Sequence, residues 1–468
     1  MAMRGQGLAL ACAAAFGVGA VAALRSITTR PARLVGYRGS VLHFLKDPLK
    51  VQKREESYEY FEDGCLVVED GKVVACGTFE EMSRNHGGMS VKDCRPYLIC
   101  PGFLDSHVHF PQLEMVAAYG QQLLEWLKAY VFPAEAKFAD PAYANSRAKT
   151  FVKELLRHGT TTALVHCTVH EESVEALFTE THRRDMLMIA GKVMMDAEPF
   201  APDELRMTAD QSVAAVERLI AKWHNTGRCL YAVTPRFAIT STPRELTLCG
   251  ELCKKHADKG IYMQTHMNEN KDEIELAKEL HKADSYLAVY DNAGLLGSRS
   301  VLAHCVHMQD KEWDRMVETK TAMSFCPSSN MFLGSGLVDL ATVRKKNVRH
   351  GIGSDIGAGT SLCQLQTLQD AYKMGMLSGV KISPWDSFYL ATLGTAKSLS
   401  LDHRVGNFQT GKEADFLLMD LTPTELLKFR MPHAKTLDEK LFILSTLGDD
   451  RNIAATYVAG VCQHERDA

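Results

Sequence analysis

Between about residues 100 and 400, eight short apolar runs of strand character alternate with longer amphipathic stretches, a pattern that restricts the chain to a parallel β/α architecture. The runs are YLICPGFLDSHVH, TTTALVHC, LMIAGKVMMD, LYAVTPRF, IYMQTHMNE, SVLAHCVH, TAMSFCPSSN and VRHGIGSDIG. Between them lie segments such as SRAKTFVKELLRHG and ADQSVAAVERLIAKWHN, whose apolar residues recur three and four apart, as one buried helical face requires. Eight such units predict an α/β fold in which residues 101–403 close into a (β/α)8 TIM barrel, with reactive groups at the C-terminal ends of its strands.

Outside that stretch the pattern is strands and turns. ARLVGYRGSVLHFL and YEYFEDGCLVVEDGKVVACG precede the barrel, the EDGK joining two β-rich runs as a hairpin; GNFQTGKEADFLLMD and IAATYVAGVCQ follow it. Residues 34–100 and 404–468 are therefore expected to pair as one small β-sandwich domain built from both ends of the chain. At 468 residues the chain is long enough for a barrel with such an appendage.

Residues 1–33 stand apart. GLALACAAAFGVGAVAAL, residues 7–24, is flanked by Arg4, Arg25, Arg30 and Arg33, with no acidic residue before Asp47. Its length is marginal for a membrane span, so a hydrophobic anchor, a cleaved targeting peptide and an extension outside the fold all stay open. Any membrane association would run through residues 7–24. A net charge of −4 supplies no basic field, and no nucleic-acid partner is expected. The 13 cysteines include no CxxC pair and are odd in number, which argues for a reducing, cytoplasmic setting. Cys249 and Cys253, four apart, read as a small apolar pair on one helical face.

His107 and His109 are one residue apart at the end of the first run. Scattering 18 histidines over 468 residues gives about 0.7 such pairs by chance, so the pair decides nothing alone. In an extended strand both side chains fall on one side and, at a barrel mouth, face its centre. Zinc or iron there needs a further nitrogen, a carboxylate and one open position. His266 ends the fifth run with Glu269 three residues on, His304 ends the sixth, and Asp355 ends the eighth between glycines. Singly these are ordinary wall histidines and a helix-capping aspartate; together, each at a C-terminal strand end, they argue for one site. His166 and His170 follow strand-like residues, share no helical face and complete no HExxH, so they read as structural. A different zinc-site design, HxE followed by PCxxC, is absent.

PGFLDSHVH, THMNE, AHC, CPSSN and GSDIG resemble the amidohydrolase superfamily in its mononuclear branch. HFPQ, LLEWLKAYVFPAE, VTPRF, THMNEN, CPSSNMFLGSG and LGDDRNI resemble, within it, the guanine deaminase family, over about residues 34–460. The resemblance implies that His107, His109, His266 and Asp355 hold one zinc ion per subunit, that Glu269 shuttles protons and that His304 orients the water and the developing tetrahedral carbon. It further implies guanine and water as substrates, xanthine and ammonia as products, and a homodimer. Gln112, Arg236 and Phe237 would bind the purine, the first two donating to its O6 and nitrogen edge and the ring covering its face. Lys192 lies on the third run, whereas the lysine that bridges two metals in dinuclear relatives comes from the fourth, which favours one metal. A hydrolase of another amino-substituted ring, such as an oxidised purine, a thioadenosine or a triazine, and a non-catalytic scaffold of the same fold stay open. The full set of metal and acid groups argues against the scaffold.

Overall fold

The computed structural model describes residues 34–119 and 122–467; the hydrophobic stretch 7–24 lies outside them. Four strands come first: β1 Val35–Phe44, β2 Tyr58–Glu69, β3 Lys72–Thr78 and β4 Ser90–Pro101. Asp70 and Gly71 both take positive φ, 48° and 75°, as the two-residue hairpin between β2 and β3 demands. The barrel strands follow: β5 Phe103–His109, β6 Thr160–His166, β7 Leu187–Gly191 with its short continuation β8 Val193–Met194, β9 Cys229–Pro235, β10 Tyr262–Met267, β11 Ser300–His304, β12 Ala322–Phe325 and β13 His350–Ile352. Three more close the chain: β14 Phe416–Met419, β15 Ile453–Val458 and β16 Val461–Glu465.

Eight parallel strands run in the order β13-β12-β11-β10-β9-β7-β6-β5, one from each expected run, with β8 alongside β9. Backbone bonds across the seam, Asp355 N–H to the His107 carbonyl at 2.9 Å and His109 N–H to the Ile356 carbonyl at 3.2 Å, draw β5 against the segment after β13. β5, β6, β7, β9, β11 and β12 are buried at every residue. Both faces of each strand are covered, which is why these strands appear in the sequence as unbroken apolar runs and not as alternating ones.

The second sheet draws strands from both chain ends in the order β16-β15-β14-β4-β1-β2-β3. It is one hydrogen-bonded path bent into a sandwich. Tyr37 of β1 pairs with Lys92 and Phe416 of β14 pairs with Pro101, nine residues further along β4. In a flat sheet those two rings would stand roughly 30 Å apart. Their centroids are 4.8 Å apart, because β4 bulges where its partner in β1 advances from Arg38 to Ser40 while β4 itself advances from Asp93 to Leu98. The interior so formed holds Val41, Leu66, Ile99, Phe416, Leu418 and Tyr457. Between β14 and β15 the chain leaves this sheet, and Leu441 and Leu444 of the helix Leu437–Leu447 join the barrel core with Leu365 and Phe388.

The two units meet through short connections and a buried ion pair. Gly102 links β4 to β5, where an added Cβ would lie 2.2 Å from Thr161 Oγ1, leaving no space for a side chain. Arg228, just before β9, is buried and pairs with Asp415 beside β14. No helix among the described residues is long and apolar enough to cross a membrane.

Candidate active site

The histidines converge because four strands end at the same height. His107 and His109 close β5 on the barrel side, and Asp105 fixes the segment below them: its carboxylate accepts the backbone N–H groups of His107 and Ser354, each at 3.1 Å, and the Ser354 hydroxyl. That ties β5 to the turn carrying Asp355. Asp355 and His304 take positive φ, 49° and 71°, a backbone region costly for residues with a Cβ and recurrent at functional sites. Beyond β10, Asn270 caps the helix Lys271–His281 in a reciprocal box with Glu273, whose carboxylate also accepts the Glu269 N–H at 3.1 Å. Glu269 is thereby held one turn above His266.

Donor atoms crowd one point. His109 Nε2 lies 3.0 Å from His266 Nε2, while Asp355 Oδ1 lies 3.2 Å from His107 Nε2 and 3.4 Å from His109 Nε2. Ligands held 2.0–2.1 Å from zinc at tetrahedral angles stand about 3.3–3.4 Å apart, close to these spacings. Hydrogen bonding accounts for only the His109–His266 contact within the cluster. His107 approaches Asp355 out of line, so neither of its ring nitrogens has a hydrogen-bond partner. His266 Nδ1 must carry its proton, since it donates to the Arg236 carbonyl at 2.7 Å, and Nε2 is left with a bare lone pair. Burial pushes the basicity of His107 down and that of His109 and His266 well down, which keeps the rings neutral as metal ligands must be. Asp355 stays ionised: burial opposes its charge, but the surrounding imidazoles outweigh it.

Glu269 and His304 flank this cluster. His304 Nε2 is 3.4 Å from Glu269 Oε2 and 3.8 Å from Asp355 Oδ2, with Nδ1 anchored on Asn330 Oδ1 at 2.9 Å. Burial pushes the Glu269 carboxyl up to about 7, against the pull of His304, so it exchanges a proton near neutral pH. Burial works against a charge on His304, yet the carboxylates of Glu269 and Asp355 win and its basicity rises.

Gln112, Arg236 and Phe237 are buried and line the same chamber as His109, His266, Glu269, His304 and Asp355. The chamber, of about 30 Å³, is also lined by Leu123, Trp126 and Leu127. A larger cavity of about 640 Å³ lies between β13 and the helices Leu340–Lys345 and Gln364–Leu377 and contains none of these residues. Arg236 is not free: Nη1 donates to Glu135 Oε2 at 2.6 Å, and Glu135 Oε1 receives Gln112 Nε2 at 3.5 Å. Glu135 comes from the short helix Phe132–Ala136, and no sequence signal marks a pairing across 101 residues.

His166, which the sequence reads as structural, lies among these imidazoles, its ring 4.6 Å from that of His109. It ends β6 directly opposite His109 in the strand register. Its place at the end of β6, matching that of His304 at the end of β11, is the available signal. Lys192 turns away: Nζ donates to the Val193 carbonyl and to Ser212 on the helix Ala209–Trp223.

The Amidohydrolase family profile matches residues 98–462. The guanine deaminase of Escherichia coli K12 is 48% identical over 93% of this chain and 98% of its own. The solved E. coli guanine deaminase superposes with a TM-score of 0.89 at 47% identity, covering 92% of this chain and 100% of that one. Guanine deaminase from C. acetobutylicum, solved with guanine bound in its active site, superposes at 0.82 with 29% identity over 92% and 100% of the two chains. The chain belongs to the amidohydrolase family and, within it, to the guanine deaminases.

Proposed function

We infer that this protein hydrolyses guanine to xanthine and ammonia in guanine catabolism, as a cytoplasmic, zinc-dependent homodimer. The observation that carries the reading is the meeting of His107, His109, His266 and Asp355 donors at 3.0–3.4 Å beside a buried Glu269, in a chain 48% identical to a guanine deaminase. These four residues would hold the zinc. When bound, zinc acts as a Lewis acid that lowers the pKa of water towards neutrality.

The residues of the chain supply the rest. Glu269 takes one proton from the attacking water and delivers it to the ring nitrogen beside C2, then takes the second from the resulting C2 hydroxyl and gives it to the departing amine, so that ammonia leaves and the carbonyl of xanthine remains. His304, fixed by Asn330, aligns the water and steadies the tetrahedral carbon. Arg236 and Gln112 donate to the O6 edge, and Phe237 covers one face. Glu135 holds Arg236 and Gln112 in register. The free thiols of all twelve described cysteines fit a reducing cytoplasm, and Leu426 and Phe429, 59% and 72% exposed on one short helix, offer apolar surface to a second subunit.

Purified full-length protein is expected to convert guanine to equimolar xanthine and ammonia, to stop after chelator treatment and to recover with added zinc. Zinc-loaded protein that leaves guanine intact would refute the reading. Arg236→Ala is expected to lower kcat/KM for guanine about 10- to 150-fold, the kinetic equivalent of roughly 1.5–3 kcal/mol for a hydrogen bond to a charged group. 2-Aminopurine lacks O6 and should be processed as before, so the ratio between the two substrates falls. An unchanged ratio removes Arg236 from O6 recognition.

A further inference from the structure

The scheme above leaves His166 without a task. Its side chain is fully buried, and neither ring nitrogen has a hydrogen-bond partner. A histidine that merely fills a barrel wall still bonds through one nitrogen, because an unsatisfied buried polar atom costs about 1–3 kcal/mol. No polar group among the described residues hydrogen-bonds this one.

Its surroundings are instead three other imidazoles. The His166 ring centroid is 4.8 Å from that of His107, 4.6 Å from His109 and 4.9 Å from His266. Imidazoles bound to one ion through a ring nitrogen have centroids about 3.2 Å from it, hence about 4.5 Å apart at right angles and about 5.2 Å apart at the tetrahedral angle. The three spacings among His107, His109 and His266 are 5.0, 4.9 and 5.1 Å, so all four rings are disposed as if around one centre. Nitrogens of His107, His166 and His266 also lie within 4.8 Å of one another. His304 differs: its ring is 5.5 Å from both His107 and His266, and its Nδ1 is already engaged by Asn330.

We propose that His166 is a further donor to the divalent ion held by His107, His109, His266 and Asp355, giving this centre four imidazoles. The inference rests on the metal reading above. A fourth neutral nitrogen suits borderline first-row cations such as Zn²⁺ and Co²⁺, raises the coordination number and slows release of the ion.

X-ray absorption at the zinc edge of the wild-type holoenzyme counts the imidazoles without any substitution. Four are expected, and three would overturn the proposal. His166→Phe, which keeps the ring volume, and His166→Gln should transfer zinc to a chromogenic chelator at least tenfold faster than wild type, within the roughly 10- to 100-fold range seen when a group supporting a metal site is removed. The visible spectrum of the Co²⁺-substituted protein should intensify in both variants as the coordination number falls. Unchanged transfer rates and spectra in whichever variant folds would likewise overturn it. A wild-type protein that takes up neither Zn²⁺ nor Co²⁺ would sink the metal reading itself, and this inference with it.

Discussion

Glu269→Gln is expected to keep any bound metal and to lose about 10²- to 10⁴-fold in turnover, the contribution typical of a positioned acid–base group. Glutamine keeps the length and the hydrogen-bonding reach of the side chain, including contact with Ser335 Oγ at 3.4 Å, but its amide cannot take or give up a proton at neutral pH. The native carboxyl can, because burial brings it to about 7. Glu269 is not among the donors that crowd Asp355 Oδ1, so metal content, measured by elemental analysis, should stay at the wild-type value. His109→Ala behaves differently. Removing a nitrogen 3.0 Å from His266 Nε2 and 3.4 Å from Asp355 Oδ1 opens the cage, and metal and turnover are lost together. Wild-type turnover in Glu269→Gln would strip that residue of its role; loss of metal in the same variant would recast it as part of the cage.

That His109 and Glu269 lie at the barrel mouth is legible in the sequence, and the reason is architectural. A barrel strand buried on both faces leaves an uninterrupted apolar run, and a polar residue that ends such a run is at the mouth by construction. Even β13, only His350–Ile352, is legible because GSDIG follows it. The same reasoning places His166 at the mouth, as the residue that ends β6. Glu135 could not have been found in this way: its partner Arg236 is set by how the short helix Phe132–Ala136 folds over the mouth. The curl of the second sheet is equally non-local. It depends on a bulge in β4 that brings Tyr37 against Phe416, residues nearly the whole chain apart. Strand patterning predicted a sandwich from both chain ends, but not that one bent path would form it.

Arg228→Met is expected to destabilise the fold by about 3–5 kcal/mol, because removing one member of a buried ion pair strands the other. The guanidinium bridges the two units: Nη1 and Nη2 reach Asp415 at 3.0 and 2.5 Å, Nη2 reaches Glu413 at 2.6 Å, and Nη1 also donates to the Asp185 carbonyl at 2.7 Å. Methionine matches much of the stem's volume and none of its charge. Glu413 keeps Arg404 at 2.7 Å, whereas among the described residues the Asp415 carboxylate retains only the Ala459 N–H at 2.8 Å, so the loss concentrates on Asp415. The pH dependence fixes the sign. Burial raises the Glu413 pKa, but Arg228 and Arg404 outweigh it and hold the group below its ordinary value. A depressed folded-state pKa contributes stability above the unfolded value of about 4.3 and loses it as pH falls through the folded one. Without Arg228 the burial of Glu413 is less opposed, and protonating it relieves the folded state as pH falls from neutrality. The gap between wild type and variant in urea midpoint should therefore be widest near pH 7.5 and narrow by pH 5. Asp415→Asn placed in the Arg228→Met background removes the stranded charge and should recover part of the deficit at pH 7.5. A deficit independent of pH, or unaltered by the second substitution, would show that Arg228 supports the junction through packing and not through its charge.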